Sequence, residues 1–248
     1  DPHEIHDDYA FDFLGEKILW EATKPGKDVV LEVTMRGKNY KGKIEKMLKF
    51  ASLVVYRNSH VDGFRYVFHL GNAGKIGRLN SEAGIETRFL VKGNEESFSE
   101  KMWSMLSFYL EAKNSASFYY KFICLYKIIE IENLKITKRN GKNILEEDGK
   151  ATKNFIEFGL KEVLTSHECS ELIRDVNATN LKRKGIGEYF EHLFRDAFAH
   201  TGYLTRNNYK FGYPTMNPTN FDDYLRYEKV VKWFEELAKK ILRDNEPN

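Results

Sequence analysis

The stretch Lys182-Arg183-Lys184-Gly185-Ile186-Gly187-Glu188-Tyr189-Phe190-Glu191-His192-Leu193-Phe194-Arg195-Asp196-Ala197-Phe198-Ala199-His200-Thr201-Gly202 decides how the chain is read. Its apolar residues fall at 186, 189, 190, 193, 194 and 197. That is the i, i+3, i+4, i+7, i+8, i+11 series of an amphipathic helix. Gly202 follows as a natural C′ residue and predicts an end just after His200.

At about 100° per residue, Arg195 lies opposite the apolar stripe, and His192, Asp196 and His200 run down one flank at i+4 steps. Arg195 and His200 are about 140° apart, so they do not pair within the helix but can border one cleft. Phe198 is off the stripe and calls for a second surface. The chemistry on offer is acid–base and anionic. His200 in the last turn sits at the negative end of the helix dipole, and Asp196 beside it favours imidazolium and orients the ring. Arg195 offers a planar fork of donors suited to a phosphate. Lys182, Arg183 and Lys184 precede the helix, and Arg206 and Lys210 follow it, a set able to track a polynucleotide backbone. The plainer readings are a capping histidine, a solvated arginine and a solvated basic turn. His192, one turn back, reads as a surface residue.

Outward from this helix, the pattern stays helical back to about residue 95. Ser97–Ala112 opens with Ser97 and Glu100 in capping-box spacing. Segments 117–134 and 152–176 carry apolar residues at helical intervals, and Lys138–Lys142 reads as a turn. Residues 221–243 start with Asp222 and Asp223 and end with Lys239, Lys240 and Arg243, matching the helix dipole. A Tyr- and Pro-bearing loop, 203–219, precedes that last helix. Before residue 94 the signals change. Short apolar or alternating runs at 28–35, 40–47, 51–56, 64–70 and 87–92, punctuated by Gly, Asn and Asp, predict an antiparallel sheet after a helical segment around 8–21. The fold class expected is therefore α+β: a β-rich part over 1–94, then an all-α helical bundle over 95–248.

Composition bounds the function. The 248 residues include 39 Lys+Arg and 37 Asp+Glu, a net charge of only +2, which speaks against a bulk electrostatic binder of nucleic acid but leaves room for a local basic patch. At 42% apolar the chain is too hydrophobic for a disordered polymer, and no run of apolar residues suffices to span a membrane. Two cysteines, Cys124 and Cys169, make no disulfide framework, and no C-x2-C or H-x3-H spacing suggests zinc. Nothing in the sequence calls for a metal or other cofactor. The opening Asp1-Pro2-His3-Glu4-Ile5 has no basic-then-apolar leader, so a reducing, cytoplasmic setting is expected.

The pattern Arg195-Asp196-Ala197-Phe198-Ala199-His200, in the longer form Arg-Asp-x-x-Ala-His-x-Gly, resembles the HEPN superfamily, helical-bundle ribonuclease domains marked by Arg-x4–6-His. It looks most like the MauJ-like and ApeA-like groups, and the helical order over about 95–245 is similar. The resemblance implies a metal-independent endoribonuclease that leaves a 2′,3′-cyclic phosphate. His200 would be the general acid or base, Arg195 would stabilise the phosphorane, and Asp196 would tune His200. It further implies a homodimer with a composite active site and a role in bacterial defence or a toxin system. The β-rich part is then the candidate regulator or the contact for a regulatory partner. Some HEPN domains place an acidic or polar residue on a neighbouring helix; Glu130, with Tyr126 one turn before it, could take that place, although packing is the simpler reading. The alternative from another class is a non-catalytic bundle that dimerises or binds a partner.

Overall fold

The computed structural model describes residues 9–14, 16–23, 28–34, 40–57, 63–65, 78–80, 97–139, 142–179, 184–196 and 221–247. These are mostly helical, with strands in two separate sheets, an α+β composition. No helix among the described residues is long and apolar enough to cross a membrane. The chain divides into two units, Asp1–Ser115 with Glu246–Asn248, and Ala116–Asn245. The change of sequence character near residue 94 thus falls one helix before the division at Ser115.

In the first unit, strands β1 (Tyr9–Phe13), β2 (Glu16–Thr23), β3 (Asp28–Thr34), β4 (Gly63–Arg65) and β5 (Arg78–Asn80) form one antiparallel sheet in the order β1-β2-β3-β5-β4. The helix expected around 8–21 is instead the β1–β2 hairpin, in keeping with the period-two placing of Phe11, Phe13, Ile18 and Trp20. The opposite correction applies to 40–47 and 51–56. They are not strands but one helix, α1 (Tyr40–Arg57). Phe50, Ala51, Leu53, Val54 and Val55 are all buried, so this turn of helix is enclosed on every side. A continuous apolar run of that kind carries no periodicity by which to tell helix from strand. Helix α2 (Glu100–Asn114) packs against α1, and its Met102, Trp103, Met105, Leu106, Tyr109 and Leu110 are buried. Its N-cap is Ser99, whose hydroxyl accepts from the Met102 N–H at 3.1 Å, rather than Ser97.

The second unit is built on α3 (Phe118–Glu132), capped by Ser117 and apolar nearly all round. Such a helix belongs at the centre of a bundle. It packs along α7 (Phe221–Asp244) and against α4 (Gly149–Val163). Between α3 and α4 the chain makes a hairpin, β6 (Leu134–Arg139) and β7 (Lys142–Glu147), where the sequence suggested only a turn; Asn140 and Gly141 lie outside the described residues. The helix expected over 152–176 is two helices. Thr165 stops the first and caps α5 (Ser166–Asn177) with a true capping box, in which Thr165 and Glu168 satisfy each other's backbone N–H. The core is aromatic: Phe122 meets Tyr126, Phe194, Tyr227 and Phe234 at centroid distances of 4.8–5.8 Å. Offset and edge contacts at this range are the favoured geometry for such rings.

Candidate functional site

Helix α6 (Ile186–Phe190) is anchored by a glycine. A Cβ on Gly187 would stand 2.4 Å from the Lys153 carbonyl oxygen, so α6 lies directly on the α4 backbone. Ile186, Tyr189, Phe190, Leu193 and Phe194 are buried, as the apolar stripe requires. The α-helical phase does not continue to His200, however. Glu191–Arg195 is a π-helical turn, closed by the Asp196 N–H donating to the Glu191 carbonyl five residues back. A π turn holds an extra residue, which changes the face on which every later side chain lands, and such turns concentrate at functional sites. The buried Tyr227 hydroxyl donates to the Phe194 carbonyl at 3.0 Å and serves a backbone acceptor within the turn.

Arg195 therefore does not stand opposite the bundle. Its Nη2 is 3.1 Å from Glu130 Oε1 and 3.4 Å from Glu147 Oε2, and its Nη1 is 3.4 Å from Asp196 Oδ1. The guanidinium lies over the Tyr126 ring, 5.8 Å from the centroid. Glu130 is the buried member, 4% exposed; its Oε1 faces Nη2 out of line for a hydrogen bond, and its Oε2 pairs with Lys127. Glu130 projects from α3, Glu147 from the end of β7. Three elements thus converge on one cation whose side chain stays 30% exposed. Burial pulls the Arg195 pKa down, but the surrounding carboxylates, Glu130 first, outweigh it and hold it above its ordinary value. Burial pushes the Glu147 carboxyl up, and the Glu130 charge pushes the same way. Burial also raises the Tyr126 phenol, which stays neutral.

A second cluster lies on the preceding turn. Lys153 Nζ is 3.0 Å from both Glu188 Oε1 and Glu191 Oε2. His192 bridges Glu188 (2.9 Å) and Asp196 (3.3 Å) at i−4 and i+4. Burial raises Glu188, but Lys153 and His192 outweigh it and leave it below its ordinary range. The hydrogen bond that Lys153 donates to Glu188 holds Lys153 above its own. Glu188, Glu191 and His192 offer ligand atoms within 4.8 Å of one another, the spacing of a metal site. The Lys153 ammonium already bridges the two carboxylates, so a divalent ion would have to displace a tethered cation.

Of the residues singled out from the sequence, Arg195 and Asp196 come together as neighbours. His200, Phe198, Lys182, Arg183, Arg206 and Lys210 lie outside the described residues. Lys184 is exposed in the turn leading into α6. The Asp196 carboxylate, expected to serve His200, is engaged by His192 and Arg195. Glu130 and Tyr126 do reach the arginine. Sequence reasoning missed Glu147 and Lys153, and it read His192 as a bystander. The signal for Glu147 was the Asn140-Gly141 pair, the strongest short hairpin cue, set between β-prone Ile136 and Ile144.

No curated protein and no solved structure matches the chain. A family model, described as Methylamine utilization protein MauJ, matches residues 105–243. That span runs from within α2 to the end of α7 and contains Tyr126, Glu130, Glu147, Lys153 and Arg195. As it covers more than half of the 248 residues, the chain belongs to the MauJ family.

Proposed function

We propose that the protein is a metal-independent endoribonuclease of HEPN type, with Arg195 and His200 as its reacting pair. The substrate 2′-OH would attack the adjacent phosphorus while the P–O5′ bond breaks, giving a 2′,3′-cyclic phosphate and a free 5′-OH. His200 would move the proton, as acid or base, and Arg195 would stabilise the charge that builds on the phosphorane oxygens. Asp196 would orient His200. Lys182, Arg183, Lys184 and Arg206 would follow the RNA backbone. A second copy would complete the cleft, and the N-terminal unit would restrain or guide the reaction in a cytoplasmic defence or toxin system. The family description, methylamine utilization, names no reaction for these residues.

The observation that supports this reading is the setting of Arg195. A buried carboxylate from the neighbouring helix holds its guanidinium, while part of the side chain remains open to a ligand. Preorganisation of a charged donor group is what transition-state stabilisation needs. A different observation favours the second reading, a non-catalytic binding module. Glu130, Glu147 and Asp196 all lie within 3.4 Å of Arg195 and together outweigh its charge.

Cleavage of single-stranded RNA in the presence of EDTA separates the two. Arg195→Lys is the variant of choice, because it leaves Glu130 a cation and removes only the planar fork. His200→Ala is expected to lower the rate about 100-fold or more, and Arg195→Lys to lower it with the fold intact. The products should carry a cyclic phosphate and a 5′-OH. Unchanged rates in both variants, or no cleavage by the wild type while RNA still binds, would support the module instead.

A further inference from the structure

The β6–β7 hairpin stands largely on its own. Its main contacts are between its own strands. Ile136 and Leu145, directly opposite each other, are 69% and 64% exposed, and Leu134 extends the same face. A two-stranded ribbon is marginal in water, and added strands stabilise it. The sheet has two strands among the described residues, so its outer edges present unpaired backbone groups.

We infer that the outer edge of β7 pairs with the same edge of a second copy of this chain, making a four-stranded antiparallel sheet across a two-fold axis. Charge selects both the edge and the occupant. Strand β6 carries Lys135, Lys138 and Arg139, and two such edges would repel; lysines are a common guard on edge strands. Strand β7 reads Lys142-Asn143-Ile144-Leu145-Glu146-Glu147, basic at one end and acidic at the other, so a reversed copy complements it. A two-fold axis normal to the sheet keeps each side chain on its own face, so opposed residues must share a face. The register centred on Ile144 satisfies this. It sets Ile144 against its own counterpart and Lys142 against the partner subunit's Glu146, twice over. Neither Lys142 nor Glu146 has an ion-pair partner among the described residues, and cross-strand pairs of opposite charge stabilise a sheet.

Glu147 points to the face opposite Lys142 and Glu146, so the pairing leaves its contact with Arg195 intact. The contact also differs from a dimer in which two motifs share one cleft. Along the joined strands the two Glu147 residues lie six positions apart, about 20 Å. A β6-to-β7 joint would instead propagate without closing.

The full chain is tested by sedimentation velocity over the micromolar range, with circular dichroism to check the fold. Lys142→Glu and Glu146→Lys should each weaken self-association about tenfold, because two attractive pairs become two repulsive ones, and the double exchange should restore it. Under mild oxidation Ile144→Cys should give a reducible covalent dimer, and Ile136→Cys on β6 should not. Four results overturn the inference: a monomeric wild type throughout, single variants that associate like the wild type, a double variant no better than the singles, or equal cross-linking at both positions. No readout involves RNA: a monomeric wild type would also remove the composite cleft proposed above, whereas the other three results leave the nuclease reading standing, so the two failures are distinguishable.

Discussion

Arg195→Ala is the perturbation that most directly tests how this site is held. At 3.1 Å and an effective dielectric near 20, the Arg195–Glu130 attraction is about 5 kcal/mol before costs. Burial of the carboxylate and partial burial of the guanidinium return more than half of that. Lys127 stays behind as a second partner for Glu130, but it is well exposed and screened. The expected loss is about 2 kcal/mol, below the usual cost of orphaning a fully buried charge. In urea denaturation that lowers the midpoint by about 1 M. Glu130→Gln removes the charge that needs a partner, so Arg195→Ala/Glu130→Gln should cost about 1 kcal/mol less than the two single changes added. A loss below about 0.5 kcal/mol for Arg195→Ala, or strict additivity in the cycle, would refute the claim that Glu130 positions the arginine.

Three further outcomes follow from the same geometry. The Glu147 carboxyl is held above its ordinary 4.5 in the folded chain, so the folded state binds that proton more tightly than the unfolded state does. Its contribution to stability is fully present below that value and is lost as pH rises through the raised one. Glu147→Gln should therefore gain on the wild type at neutral pH and lose that gain in urea titrations taken below the ordinary glutamate range. Gly187→Ala should destabilise by about 2 kcal/mol or more in a thermal melt, against the usual helical preference for alanine, because its Cβ meets the Lys153 backbone. Tyr227→Phe should cost about 1 kcal/mol by the same assay, since it leaves the Phe194 carbonyl buried without its donor.

Much of the helical half of the fold was legible because its apolar residues repeat at helical intervals and because the dipole-matched ends of α7 are short-range signals. The β1–β2 hairpin was read as a helix and the π turn was not foreseen, and three further elements were not legible. Helix α1 is enclosed at Phe50–Val55, which erases periodicity. The β6–β7 hairpin is exposed on both faces, so it carries no buried alternation. The break between α4 and α5 interrupts an apolar series without disturbing its spacing. At the site, Arg195 and Asp196 were singled out from the pattern of residue types, and Glu130 only through the family resemblance, with packing as the simpler reading. Glu147 and Lys153 could not be reached that way. They meet the motif helix only through tertiary packing, 48 and 42 residues away in sequence.

The π turn has a consequence for chain length. It accommodates one residue more than an α-helix would over the same rise, so removing one residue between Glu191 and Phe194 converts it to an ordinary α turn without rotating what comes after. Arg195 would still arrive beside Glu130. A single-residue gap at this point in an alignment is thus neutral for the placement of the guanidinium, whereas the same gap one turn earlier, within Ile186–Phe190, would swing it out of reach by about 100°.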